Sequence, residues 1–201
     1  HLSNGLPGFS VVGLPESSVR ESRERVRSAL LCSHFKWPDR RITVSLAPAE
    51  IPKRGGRFDL PIALAILTAS GQLHPRHTAD REFLGELGLD GALRSCRGLL
   101  TAVLAATAAH RSLVLPAIQA PAMAIVPGSK VTGAGDLLET CGLLKSGDLP
   151  PAAPLVRPPE PRQSADLRDV VGQSLAKRGL EIAAAGGHHI LMTGPPGGGK
   201  T

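Results

Sequence analysis

The chemistry most plainly written in this sequence lies at its last residues. Gly194-Pro195-Pro196-Gly197-Gly198-Gly199-Lys200-Thr201 satisfies the pattern G-x-x-x-x-G-K-[ST] without a mismatch. Glycines at that spacing let successive backbone N–H groups turn toward one anion and wrap the β-phosphate of a nucleotide. The ammonium of Lys200 reaches the β- and γ-phosphates, and the hydroxyl of Thr201 is a ligand for Mg²⁺. The predicted chemistry is binding of ATP with Mg²⁺. No acidic second strand to hold the metal, no sensor residue and no arginine finger is recognisable, so hydrolysis is not expected of these residues alone. The sequence opens on His1 rather than Met and closes on the motif's last residue, so it reads as a piece of a longer protein.

A second candidate is electrostatic. Between Arg20 and Phe58 stand ten basic residues and four acidic ones, a surplus of six that equals the net charge of the whole 201-residue chain. The basicity is therefore local, as a face that neutralises backbone phosphates requires. Lys53-Arg54-Gly55-Gly56-Arg57 is its sharpest part, because paired glycines let backbone approach a ligand while the flanking guanidiniums bind phosphate. Arg23 and Arg27 belong to the same surplus, but Arg20 to Arg27 reads equally well as a solvated helix face laced with exposed ion pairs. One Trp, four Phe and no Tyr leave little for stacking on unpaired bases, so duplex or backbone-led DNA binding is expected. Metal chemistry has only the pairs His74/His77 and Cys32/His34, without the further ligands a zinc site needs.

These residues need a scaffold, and the patterning supplies one. Glu16 to Ser33 reads as a helix with an apolar stripe at Val19, Val26 and Leu30 and with Glu16/Arg20 and Glu21/Arg25 four apart. Arg41 to Leu46 alternates like a half-buried strand, and Asp59 to Ser70 reads as an apolar helix with Pro61 in its first turn and Gly71 beyond its end. Phe83 to Arg94 reads as a hairpin with Asp90-Gly91 as a tight two-residue turn. Helices are expected at Leu99 to Ala109 and Asp136 to Leu144, with a strand at Ser112 to Leu115. Six of the twelve residues 150–161 are proline, which excludes helix and central strand and marks an extended spacer. Beyond it, Ser174 to Ala185 reads as a helix ended by Gly186-Gly187, and His189 to Thr193 as a short buried strand feeding the phosphate loop. The expected organisation is an α+β domain at 1–147, a linker at 148–165 and the start of an α/β nucleotide-binding domain at 166–201. Apolar stretches such as Leu60 to Ala69 are too short to span a membrane, and three scattered cysteines make no disulfide framework. A cytoplasmic protein is expected.

Two stretches carry a family resemblance. Residues 1–57 (HLSNGLPGFSVVGLPESSVRESRERVRSAL through RRITVSLAPAEIPKRGGR), with DLPIALAIL and FLGELGLDGALR, resemble the amino-terminal domain of the ComM/YifB family of magnesium-chelatase-like AAA+ ATPases. Asp166 to Thr201 resembles the start of that family's ATPase module, with Gly198 where Thr or Ser is usual and His189 where Asn is usual. The resemblance implies that Val170-Val171-Gly172-Gln173 lies against the adenine. It also implies a hexameric ATPase of the helicase clade acting in DNA branch migration during transformation and recombination. The first domain is then expected to share the two-layer fold of the Lon protease's catalytic domain, a fold also found in a ribosomal protein and in the RadA recombination factor.

A Lon-type peptidase needs a serine and a lysine base. Arg57 and Leu100 stand at the matching positions, and no lysine occurs between Lys53 and Lys130. Arginine cannot deprotonate to replace it. Peptidase activity is therefore not expected, and insertion of magnesium into a porphyrin has no signature of its own. The competing reading of the first domain is a noncatalytic module for DNA, partner or subunit contact.

Overall fold

A computed structural model of the chain describes residues 1–13, 16, 19, 21–154, 166–195 and 197. The backbone divides into two units, residues 1–155 and 156–201.

The first unit starts with strands β1 (Leu2–Ser3) and β2 (Gly8–Val12), helix α1 (Ser22–Cys32) and strand β3 (Arg41–Ser45). β3 is central: β1 pairs with it antiparallel, and β2 pairs with it parallel from Gly8↔Arg41 to Val12↔Ser45. A parallel pair needs a crossover, and α1 provides it. The stripe expected at Val19, Val26 and Leu30 is fully buried. Of the two expected four-residue pairs, Arg25 lies 3.8 Å from Glu21. Arg20 lies outside the described residues, and Glu16 pairs instead with Arg54 at 2.7 Å.

Helix α2 (Asp59–Ala69) buries seven of its eleven residues, so it is apolar nearly all round rather than on one stripe. Its first residue anchors the unit. Asp59 is 0% exposed and accepts hydrogen bonds from Ser22 Oγ (2.5 Å), Arg25 Nε (2.6 Å) and Nη2 (3.1 Å), and the Leu87 amide (3.3 Å). The carboxylate is thereby satisfied from three directions, and its hydrogen bond to Arg25 raises that guanidinium's pKa further.

Next come β4 (Arg81–Phe83), β5 (Glu86–Leu87) and β6 (Leu93–Arg94). The hairpin expected over Phe83 to Arg94 is shorter: Phe83 belongs to β4 and pairs in another sheet, and only β5 and β6 form the antiparallel pair. Its turn also differs from the two-residue form. Gly88 N donates to Ala92 O (2.8 Å) and Gly91 N to Gly88 O (3.0 Å), and of Asp90 and Gly91 only Gly91 takes a positive φ, 89°. The three-residue loop puts its one left-handed residue on the glycine, while Asp90 Oδ1 accepts from Ala92 N at 3.1 Å.

Helix α3 (Leu99–Ala108), strand β7 (Ser112–Pro116), the single-turn α4 (Ala120–Met123), strand β8 (Lys130–Ala134) and helix α5 (Leu137–Ser146) complete the unit. β4, β7 and β8 form a parallel sheet in that order, with α3 and α4 in the two crossovers. Asp136 caps α5 by accepting from Glu139 N at 2.7 Å. Two apolar clusters result. One gathers α1, β3, α2, the hairpin and α5; the other gathers α3, β7, α4 and β8. The first prolines of the spacer run beside this core: Leu149 packs on the first cluster, Ala152 on the second, and Ala152 N donates to Val131 O at 2.8 Å. The architecture is mixed α+β with a parallel sheet and packed helices, as expected.

The second unit holds a 3₁₀ turn (Leu167–Asp169) with Asp166 and Asp169 capping each other, and helix α6 (Ser174–Gly186) closed by Gly187. None of the residues of α6 is buried. The strand expected at His189 to Thr193 is not formed. A strand exists by pairing, and no other strand occurs among the described residues of this unit. Ile190 instead rests its Cδ1 against Gly179 of α6.

Candidate functional site

A cleft of about 620 Å³ lies in the first unit between residues 54–57 and residues 95–98, with Glu86 of β5 between them. Its first wall is the loop and 3₁₀ turn that feed α2, and its second wall leads into α3. Two sets of hydrogen bonds hold the walls. Gly85 N donates to Arg57 O and Leu60 N to Gly85 O, both at 3.0 Å. The Gln119 side-chain amide clamps Cys96, accepting from its N–H at 2.8 Å and donating to its carbonyl at 3.0 Å. Two glycines leave room for side chains beside the backbone, and at Gly98 the left-handed backbone itself favours glycine. A β-carbon on Gly56 would strike the Glu86 carboxylate, and one on Gly98 would lie 2.9 Å from Arg57 Nη1 at a backbone φ of 77°.

Three arginines line this space. Arg54 is tied to Glu16. Arg57 lies 5.0 Å over the Phe58 ring, and its Nε is buried without a hydrogen-bond partner. Arg97 is exposed, and neither it nor Arg57 forms an ion pair among the described residues. Gly98 begins α3 with no side chain capping the helix, so the positive end of its dipole adds to the same region.

Nucleophilic chemistry is poorly served here. Burial pushes the Cys96 thiol up despite the opposing charge of Arg57, so it is protonated at neutral pH. Ser95 has no lysine or histidine among the lining residues to take its proton. The lining carries three guanidiniums and one carboxylate, a positive balance.

Of the residues expected to meet nucleic acid, Arg54 and Arg57 line this cleft. Lys53 does not. It is 5% exposed, and its ammonium donates to the Pro48 carbonyl, so its charge is spent on the neighbouring chain. Arg23 and Arg27 are exposed on α1, Arg23 beside Glu24 at 3.6 Å. Glu86 and Arg97 were not singled out by sequence. They join the site only because the hairpin folds residues 86 and 95–98 onto residues 54–57. An Arg-Gly pair directly ahead of an apolar helix was the one local signal.

In the second unit, Val171 is 95% exposed ahead of α6, and Gly172 and Gln173 follow with positive φ of 73° and 53°. Gly194 and Pro195 are exposed and belong to no helix or strand, and Gly197 has φ 83°. Pro196, Gly198, Gly199, Lys200 and Thr201 lie outside the described residues. Among those described, no group of three or more His, Cys, Asp or Glu could hold a metal ion. His74 uses Nδ1 to accept from Arg76 N at 3.2 Å, capping a turn. No described helix is long and apolar enough to cross a membrane.

Comparison with known proteins supplies the lineage. Residues 1–119 match the family described as subunit ChlI of Mg-chelatase, and residues 166–201 match magnesium chelatase, subunit ChlI. The whole chain is 48% identical to competence protein ComM of Haemophilus influenzae, 46% to the YifB protein of Salmonella typhimurium and 43% to that of Escherichia coli. It spans 40% of the length of each of these relatives. A family match over more than half of the chain, with relatives of this identity along all of it, places this protein in the Mg-chelatase ChlI family, among the ComM and YifB proteins.

Proposed function

We propose that this chain forms part of an AAA+ ATPase that binds ATP and Mg²⁺ at Gly194 to Thr201 and uses hydrolysis to act on DNA. One observation carries the reading: a phosphate-loop pattern without mismatch closes a segment that matches the magnesium-chelatase family over residues 166–201. The positive φ of Gly197 supports this reading, being the kind that turns backbone amides toward an anion. In this reading Lys200 neutralises the β- and γ-phosphates and Thr201 offers its hydroxyl to the metal. Val171, exposed ahead of two left-handed residues, lies against the adenine with Gly172 and Gln173. Bound Mg²⁺ supplies charge neutralisation across the phosphates. The residues 1–147 form a Lon-like domain without peptidase residues, residues 148–165 link it to the ATPase module at 166–201, and the whole protein assembles as a hexamer in the cytoplasm.

The DNA assignment rests on the basic surplus and on one relative's printed name, a competence protein. Arg23, Arg27, Arg54 and Arg57 are the residues proposed to meet DNA phosphates. A second reading, in which the first unit makes subunit or partner contacts, is favoured by the acids beside Arg23, Arg25 and Arg54, which reduce the unpaired charge. ATPase assays of the full-length protein with and without branched DNA separate the two. Stimulation by DNA is expected; hydrolysis indifferent to DNA favours the contact reading, and no hydrolysis removes the motor.

A further inference from the structure

The basic surplus at Arg20 to Phe58 leaves out the residue that the fold places best. Arg97 lies outside that window, yet it faces the same 620 Å³ cleft as Arg57, and neither forms an ion pair among the described residues. Other arginines of the unit are engaged by acids: Arg25 by Asp59, Arg54, the third arginine of the cleft, by Glu16, and Arg111 by Glu82 at 3.8 Å. Arg57 keeps a buried Nε without a hydrogen-bond partner, which costs stability unless a ligand or water accepts from it. Gly98 permits the Arg57 guanidinium to approach the start of α3, whose first amides have no side-chain cap. Two guanidiniums and a helix N-terminus thus converge on one space with a single carboxylate, Glu86, in its lining.

We propose that this cleft is a phosphate-binding site in which Arg57 and Arg97 grip one phosphate at the N-terminus of α3, the phosphate being presented by a DNA strand. The part that concerns DNA rests on the function proposed above; the phosphate chemistry does not. Planar guanidiniums suit a tetrahedral oxyanion better than an ammonium would, because each offers a fork of N–H donors. Glu86 limits the site by repelling an anion that penetrates too deeply.

Arg97→Gln tests the assignment without disturbing the core, since Arg97 is exposed and unpaired among the described residues. The experiment measures binding of a labelled DNA duplex by the whole chain over a salt series, and competition by pyrophosphate, for the parent protein, Arg97→Gln, Arg97→Lys and the double variant Arg23→Gln/Arg27→Gln. The expected result is that Arg97→Gln weakens duplex binding roughly tenfold and lowers the slope of log affinity against log salt by about 0.9, the value of one phosphate contact. Arg97→Lys restores the slope, and pyrophosphate displaces DNA from the parent but not from Arg97→Gln. Should the parent bind no duplex while calorimetry in a Lys200→Ala background shows pyrophosphate binding that Arg97→Gln abolishes, the DNA reading falls and the phosphate site stands. Unchanged duplex affinity and slope in Arg97→Gln, beside a loss in the α1 double variant, overturns the cleft and leaves DNA binding intact. Binding of poly-glutamate in preference to pyrophosphate overturns the site as a phosphate site.

Discussion

The two units are stabilised in opposite ways. The first buries α2 on nearly every side and satisfies a fully enclosed carboxylate with a guanidinium, a hydroxyl and an amide. The second presents a helix with no buried residue, where Leu175 is 87% exposed. What separates them is the range of the interactions. The first is held by pairs far apart in sequence, such as Ser22 with Asp59 and Arg57 with Gly85. The second is organised by neighbours, such as Asp166 capping Arg168 and Gly187 closing α6. Stability is concentrated in the first unit, and the sequence-local phosphate-loop motif in the second.

The contrast can be sharpened by substitution, beginning where the effect should be greatest. Asp59→Ala leaves Arg25 partly buried without its principal anion, and urea unfolding should show a loss of about 3–5 kcal/mol. A loss under 1 kcal/mol would mean that this network does not hold α1 to α2. Leu67→Ala, at a fully buried site of α2, should lose about 2–4 kcal/mol in the same measurement.

A third effect is alkaline. Burial pushes the Cys141 thiol from its ordinary 9.0 to about 11. The raised value means that the unfolded chain gives up this proton first, so the contribution to stability is complete below pH 9 and is lost as pH rises from 9 to 11. The loss is on the order of 2–3 kcal/mol, and the difference between parent and Cys141→Ala unfolding curves over that range should display it. The smallest effect belongs to the second unit: Leu175→Ala on α6 should change the stability of the chain by less than about 0.5 kcal/mol. A larger loss would show that α6 is buried in solution and would erase the contrast.

The same difference in range explains what could be read from the sequence. Helices α2, α3, α5 and α6 lie within a residue or two of their expected bounds, because proline, glycine and apolar periodicity are local. The phosphate motif is a contiguous string and was legible for that reason. β1, β2, α4 and β8 were not anticipated; β1 and α4 are only two and four residues long, and β2 and β8 depend on partners elsewhere in the fold. The strand expected at His189 to Thr193 failed on the same ground, since its apolar pattern is present and its partner is not among the described residues. The basic surplus joins engaged cations with available ones. Its window stopped between Glu16 and Asp59, the two acids that engage Arg54 and Arg25, and it counted Lys53, whose charge is turned on Pro48. Arg97 stood outside it. A charge count along the sequence cannot separate engaged cations from available ones, because engagement is decided by tertiary neighbours.

The central claim is that the loop at Gly194 to Thr201 holds a nucleotide triphosphate. Its most direct test is binding of a fluorescent ATP analogue to the full-length protein with Mg²⁺, beside Lys200→Ala. Micromolar binding by the parent, weakened at least tenfold by the substitution, is the predicted result. Equal binding by both proteins, or none by the parent, would contradict it.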